Sequence, residues 1–214
     1  MRTADLFEDS GAEAPGGAGL TVLEGFALPF WQALLEDIER VTTAAPLRHM
    51  MTPGGRPMSV AMSNCGKVGW VSDRSGYRYH TLDPERARPW PAMPHSFAGL
   101  ARQAAAEAGF DHFEPDAGLI NCYAPGSRMS LHQDRDERDL SAPIVSVSLG
   151  LPATFLWGGL QRTDRPRRLP LMHGDVVVWG GPSRLVFHGV APLPDGWHEV
   201  LGRRRINLTL RCAL

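Results

Sequence analysis

The chain has 214 residues, 43% of them hydrophobic, and a formal net charge of −1; its mean hydropathy is −0.20 and its pI is near 6.7. This is an ordinary globular composition with apolar matter for one good core, which by length means one domain or at most two. It excludes strong non-specific nucleic-acid binding, which comes with a basic stripe, and no apolar run approaches the ~20 residues needed to span a bilayer.

Residues 1–19 are acidic and rich in Gly, Ala and Pro. They lack the basic start and apolar stretch of a secretory signal and are expected to form a disordered tail. Leu20 to Leu28 is a short strand candidate. Pro29 opens a helix whose Phe30, Leu34, Ile38 and Val41 share a buried face, ending near Thr43 ahead of Pro46. A second helix runs from Ser96 to Ala108, burying Phe97, Leu100, Ala101, Ala104 and Ala108, with Gly109 as its C′ residue. Both helices are expected to support a sheet.

Met50 to Trp90 differs in character. Pro53-Gly54-Gly55, Gly66-Lys67 and Asp73-Arg74-Ser75-Gly76 separate short alternating strands, giving two or three hairpins. In Met58 to Ser63, Met58, Val60 and Met62 face one way and Ser59, Ala61 and Ser63 the other. Trp70, Tyr77 and Tyr79 either form a mini-core under the hairpins or belong to a lid that stacks on a flat ligand such as a single base.

From Asp116 onward short strands follow one another without a helix: Asp116–Tyr123, Met129–Asp134, Ile144–Leu151, Thr154–Trp157, Arg168–Met172, Asp175–Trp179, Leu185–His188 and Arg205–Cys212. Eight such segments with Gly and Pro punctuation indicate a closed or double-sheet structure, most simply a jelly roll. Arginine outnumbers lysine 21 to 1. Its clusters at Arg162, Arg165, Arg167, Arg168 and at Arg203, Arg204, Arg205 fit either a solvated surface or phosphate contact. The three cysteines, Cys65, Cys122 and Cys212, are odd in number and far apart, which suits a reducing cytoplasm and suggests neither a disulfide framework nor a zinc knuckle.

The chemistry centres on Leu131-His132-Gln133-Asp134-Arg135-Asp136. On an extended strand His132 and Asp134 point to one side and are placed to share a metal ion. Taken alone the triplet fits an exposed polar turn better than a metal site, but Phe187-His188-Gly189 offers a third ligand at the end of an apolar run. Two His and one carboxylate with an open side form the facial triad of non-haem Fe(II) oxygenases, although Zn(II) takes the same ligands. On the last strand Arg205, Asn207, Thr209 and Arg211 share one face, as Asn121 and Tyr123 do on the first. Either these faces meet water, or they point inward and build a pocket for a small dicarboxylate, each arginine binding a carboxylate as a fork.

Together, Asn121-Cys122-Tyr123-Ala124-Pro125-Gly126, His132-Gln133-Asp134-Arg135-Asp136, His188 and Arg205-Ile206-Asn207-Leu208-Thr209-Leu210-Arg211 resemble the bacterial AlkB family of Fe(II)- and 2-oxoglutarate-dependent dioxygenases. The likeness extends to Met51-Thr52-Pro53-Gly54-Gly55, Ser59-Val60-Ala61-Met62, Gly69-Trp70 and Asp175-Val176-Val177-Val178-Trp179-Gly180-Gly181. The resemblance implies a mainly β fold, a double-stranded β-helix (jelly roll) with two supporting N-terminal helices and a β-hairpin lid. It implies repair of alkylated DNA, single- or double-stranded, with RNA a further candidate, by oxidative demethylation of 1-methyladenine and 3-methylcytosine, releasing formaldehyde, succinate and CO2. By the same resemblance His132, Asp134 and His188 bind Fe(II), and Asn121, Tyr123, Arg205, Asn207 and Arg211 bind 2-oxoglutarate, with O2 as the other cosubstrate. Trp70, Tyr77, Asp136 and Arg162 contact the damaged nucleotide, with Met62, Ser130 and Arg135 near it. Arg78, between Tyr77 and Tyr79, stands where an apolar residue is expected and is positioned to alter the grip on the backbone.

The expected organisation is a single dioxygenase domain over 20–214, with a nucleotide-recognition lid at 50–90 and a jelly-roll core at 116–214, acting as a cytoplasmic monomer without a membrane partner. The competing readings are a same-fold 2-oxoglutarate oxygenase acting on a small molecule or protein side chain, and a cupin-type jelly roll. His49, His80, His95, His112, His173 and His198 have no partner at ligand spacing and are assigned to surface or core.

Overall fold

A computed structural model describes residues 19–214, so all but Gly19 of the expected tail lies outside the described residues. In chain order the elements are β1 (Leu20–Leu23), α1 (Trp31–Ala44), β2 (Ala61–Gly66), β3 (Gly69–Asp73), β4 (Gly76–His80), β5 (Leu82–Asp83), β6 (Arg88–Pro89) and α2 (His95–Glu107). They continue with β7 (Ala117–Tyr123), β8 (Met129–His132), β9 (Ile144–Gly150), β10 (Ala153–Trp157), β11 (Arg167–Leu171), β12 (Val176–Trp179), β13 (His188–Val190) and β14 (Arg205–Arg211).

Two antiparallel sheets carry the architecture. The larger has the order β1-β12-β9-β14-β7-β2 and the smaller β11-β10-β13-β8, which is the expected jelly roll; β3–β4 and β5–β6 are separate hairpins. The alternation of β14 sorts its residues between two environments. Ile206, Leu208 and Leu210 join Val145, Val147 and Leu149 of β9 in a core closed by Leu34, Ile38 and Val41 of α1 and by Phe97, Leu100 and Ala104 of α2. The other face of the large sheet turns toward the small one, where Val177, Trp179, Phe155, Trp157 and Val190 pack together. Each fully buried aliphatic side chain contributes ~1.5–3 kcal/mol.

The helices stand close to their expected positions. Phe30, expected on the buried face of α1, precedes the helix and is 36% exposed. In its place Asp37 is buried on α1, where it accepts a hydrogen bond from Ser96 of α2. On α2 Ala105 is buried and Ala108 is the C-cap, and Gly109 follows with φ +83°, the left-handed conformation a helix terminus uses.

Four strand assignments differ from expectation by more than one residue. β1 stops at Leu23 because the chain turns at Gly25, whose N–H donates to Asp175 Oδ1 at 2.8 Å. Ala61–Gly66 pairs with β7 as the edge of the large sheet, so part of the segment expected to form hairpins is sheet. β8 ends at His132 rather than Asp134, because Gln133 Nε2 donates to Leu185 O at 2.6 Å and Arg184 Nη1 donates to Asp134 O at 2.6 Å. Leu185 and Val186 are not strand: the chain turns there with Val186 N bonded to Ser183 O, and β13 begins at His188.

The β13–β8 pairing sets His188 opposite His132, with a register shift before Val190↔Met129. Gly189 permits this close approach, since a Cβ there would lie 2.6 Å from Met129 O. Gly189→Ala is therefore expected to destabilise the chain by ~1–3 kcal/mol through overpacking against backbone. Urea denaturation measures this, and a variant within experimental error of the parent would show that the strand pair tolerates widening.

Candidate metal centre and cosubstrate pocket

Between the sheets lies a cavity of about 710 Å3. All the site residues expected from sequence line it: His132, Asp134 and His188; Asn121, Tyr123, Arg205, Asn207 and Arg211; Trp70, Tyr77, Asp136, Arg162, Met62, Ser130 and Arg135. None is left elsewhere on the molecule.

His132, Asp134 and His188 offer ligand atoms that all lie within 4.8 Å of one another. His132 Nε2 is 3.7 Å from Asp134 Oδ1 and His188 Nε2 is 3.6 Å from Asp134 Oδ2. The Nδ1 of His132 lies 2.9 Å from Ser130 O, and that of His188 lies 2.9 Å from Val186 O. A carbonyl can only accept, so each Nδ1 carries a proton and Nε2 is the ring nitrogen left to face the shared centre, as in metal-bound imidazoles. Burial, and then the neighbouring His188, push His132 down to about 4, so its imidazole is neutral at physiological pH. Burial works against ionised Asp134, but the Arg211 guanidinium, with His188 next, holds its carboxyl well below the usual range. Asp134 comes from an irregular segment rather than from a continued strand, turned inward by a 2.7 Å bond from Arg211 Nη2. The donor set, two imidazole nitrogens and a hard carboxylate on one side, fits Fe(II).

The polar face of β14 is buried rather than solvated: Arg205 is 1%, Thr209 5%, Arg211 6% and Asn207 7% exposed. In register, Arg205 faces Tyr123 and Asn207 faces Asn121 across β7. The Arg205 guanidinium lies 5.0 Å over the Tyr123 ring, and Nη2 donates to Ser148 Oγ at 2.9 Å. Its Nε and Nη1 have no partner among the described residues, and neither does Asn121 Oδ1. A buried guanidinium with two unused N–H groups is a receptor for a carboxylate. Burial lowers the Arg205 pKa from its ordinary value and raises that of the Tyr123 phenol. Arg211 differs: burial opposes its charge, but Asp134 above all holds its pKa above the ordinary value.

Trp70 and Tyr77 are stacked at the mouth, with centroids 5.5 Å apart and planes 13° from parallel. Trp70 Nε1 donates to Asp136 Oδ2 at 2.9 Å, so Asp136 reaches the mouth although the strand does not continue to it. Arg162 is exposed, with its guanidinium 5.6 Å over Phe187. Met62 is buried in the wall, whereas Ser130 and Arg135 are exposed at the rim. Arg165, Arg167 and Arg168 are exposed and do not line the cavity. Arg78 lies on the opposite hairpin face and pairs with Asp73 at 2.7 Å. Burial of Arg205 separates it from Arg203 and Arg204, which remain at the surface.

Sequence reasoning missed Glu137 and Arg184 beside the metal ligands, and placed Tyr79 only among the hairpin aromatics. Tyr79 donates to Glu137 Oε1 at 2.7 Å, and Glu137 and Arg184 are buried, their charges 3.2 Å apart. Glu137 stands in the run Asp134 to Asp139, which reads as a solvated surface, and Arg184 stands alone, so no pattern marks either.

The sequence matches the family model described as the 2OG-Fe(II) oxygenase superfamily over residues 19–211. It is 56% identical over 210 residues to the alpha-ketoglutarate-dependent dioxygenase AlkB of Salmonella typhimurium, covering 98% of this chain and 97% of that one. It is 36% identical over 155 residues to the nucleic acid dioxygenase ALKBH1 of Homo sapiens, covering 70% of this chain and 38% of the relative. The solved structure of OsALKBH1 superposes with a TM-score of 0.78 at 25% identity, over 90% of this chain and 96% of that one. The histidine and carboxylate ligands and the half-satisfied arginine thus belong to a member of the AlkB family, an alpha-ketoglutarate-dependent dioxygenase that uses Fe(II) with 2-oxoglutarate and O2 as cosubstrates.

Proposed function

We propose that this dioxygenase repairs alkylated DNA, with RNA as a further substrate, by oxidative demethylation of 1-methyladenine and 3-methylcytosine. The observation that carries the reading is the preassembled mouth: the Trp70–Tyr77 stack with the Asp136 carboxylate hydrogen-bonded to it, above the metal ligands. A flat cationic base uses the aromatic faces and the carboxylate together, whereas an aliphatic side chain or small acid would not. The name of the human relative, a nucleic acid dioxygenase, points the same way.

In this proposal His132, Asp134 and His188 hold the iron on one side and leave the rest of its shell to cosubstrates. When bound, the iron supplies activation of O2 against 2-oxoglutarate, the chemistry that hydroxylates the N-methyl group. Arg205 binds the distal carboxylate of 2-oxoglutarate through the N–H groups that have no protein partner, and Tyr123, Asn121 and Asn207 shape the space around it. Arg211 keeps Asp134 ionised and fixed. Trp70 and Tyr77 hold an extruded base and exclude water, and Arg162, Arg135 and Ser130 lie along the rim where its flanking backbone passes. The hydroxymethyl product then sheds formaldehyde with the base as leaving group.

Residues 50–90 serve as the lid of one domain over 20–214, and the enzyme acts as a cytoplasmic monomer. That setting is supported by three free cysteines, and no helix among the described residues is long and apolar enough to cross a membrane.

Arg205→Lys should weaken 2-oxoglutarate binding on the order of tenfold or more, since a point charge cannot replace a fork. Titration of the cosubstrate under anaerobic conditions measures this, and unchanged affinity would remove Arg205 from the cosubstrate site. Trp70→Ala should raise KM for methylated oligonucleotide by a factor reflecting the ~1–3 kcal/mol of a stacked base. Substrate-free turnover of 2-oxoglutarate should survive, and its loss would make the hairpin structural. Asp136→Asn should impair repair of the cationic lesions 1-methyladenine and 3-methylcytosine more than repair of neutral 1-methylguanine and 3-methylthymine. Mass spectrometry of the four matched oligonucleotides decides the point, and an equal fractional loss would leave Asp136 as an anchor for Trp70.

A further inference from the structure

The segment that carries Asp134 and Asp136 is held to the β3–β4 hairpin by two side-chain bonds from one face of that hairpin. Trp70 and Tyr79 are directly paired in register across the hairpin. Trp70 Nε1 reaches Asp136 Oδ2 at 2.9 Å, and the Tyr79 hydroxyl reaches Glu137 Oε1 at 2.7 Å. The second bond is the buried one. Glu137 has a side chain only 1% exposed, lying 3.2 Å from Arg184 Nη2, itself 4% exposed. Arg184 in turn donates to Asp134 O at 2.6 Å and to Ala142 O at 3.0 Å, binding both ends of the 134–142 segment around the Glu137 carboxylate. Arg211 closes the circuit: Nη2 on Asp134 Oδ2 at 2.7 Å, Nη1 donating to the Tyr79 hydroxyl at 3.3 Å, and Nε 3.5 Å from Glu137 Oε1. Two carboxylates and two guanidiniums thus balance in charge inside the protein, and the Tyr79 hydroxyl is the group by which the hairpin enters the cluster.

We propose that Tyr79 and Glu137 are positioning residues that join the base-gripping hairpin to the metal-ligating segment, so that metal loading and hairpin ordering are linked. This rests on the proposed role of the hairpin in holding the base. Metal at His132, Asp134 and His188 fixes the Asp134 carboxylate and through it Arg211, which lies on the Tyr79 hydroxyl. A loosely held carboxylate would let Arg211, Glu137 and Tyr79 rearrange together, and the Trp70–Tyr77 stack would move with the strand that carries Tyr79. Ordering one site lowers the entropic cost of ordering the other, and the coupling runs equally in both directions.

Hydrogen–deuterium exchange of the full chain with and without Mn(II), a redox-inert stand-in for Fe(II), tests the link. In the parent protein Mn(II) should slow exchange in residues 69–80 as well as in 133–142. Tyr79→Phe, which removes one oxygen, should keep Mn(II) protection of 133–142 and lose that of 69–80. A bond to a charged acceptor corresponds to roughly ten- to hundredfold in the opening equilibrium. Arg78→Ala, on the opposite face of the same hairpin, should keep both effects. Equal metal-dependent protection of the hairpin in Tyr79→Phe and the parent would overturn the proposal. So would protection confined to 133–142 in the parent, an outcome that needs no variant to fold. Failure of Mn(II) to bind at all, measured by calorimetry, would instead overturn the metal reading and the proposal with it.

Discussion

The structure depends on the burial of two guanidiniums between the sheets. Moving such a charge out of water costs on the order of several kcal/mol unless it is paired. Arg211 is compensated within the protein, by Asp134 and by the Tyr79 and Glu137 oxygens. Arg205 is compensated only in part, by one serine hydroxyl and a tyrosine ring. The first arrangement fixes a carboxylate, and the second leaves a demand that a dicarboxylate satisfies. Because the two arginines lie on one strand, six residues apart and on the same face, cosubstrate and metal are brought together by the pleat of β14.

The remaining architecture keeps that strand in place. β14 lies inside the large sheet between β9 and β7, so both its edges are hydrogen-bonded. Its apolar face is sealed by α1 and α2, which keeps water from the back of the strand and makes its polar face the interior of the site. β7 contributes Asn121 and Tyr123 by direct cross-strand register, β9 contributes Ser146 and Ser148, and the small sheet supplies the two imidazoles.

Much of this was legible in the sequence because period-2 alternation is strict wherever a strand separates two unlike environments. The polar and apolar faces of β14 were evident, but which face met water was not, since a buried pocket lined by arginine and asparagine has the pattern of a solvated surface. Family resemblance resolved what periodicity left open. The helices were found within a residue or two, since their apolar spacing is regular. Gln133 and Asp134 were misread as the end of a strand because the course of the chain from there to Ala142 is set by Arg184, distant in sequence, and no local propensity encodes that capture. Glu137 was hidden for a related reason: amid alternating charges, a carboxylate that turns inward looks like its neighbours that do not.

The facing of His132 and His188 across β8 and β13 has a thermodynamic consequence for the apoprotein. These strands are joined only through more than fifty intervening residues, and their pairing is short and interrupted by a register shift. An ion bound by both imidazoles acts as a cross-link that closes this long loop, and the entropy of closure grows only slowly with its length. The bound metal thus serves as a fastener for the smaller sheet. Iron supply would then set how long the chain survives proteolysis as well as how fast it turns over, since binding to the native state withdraws the population that opens.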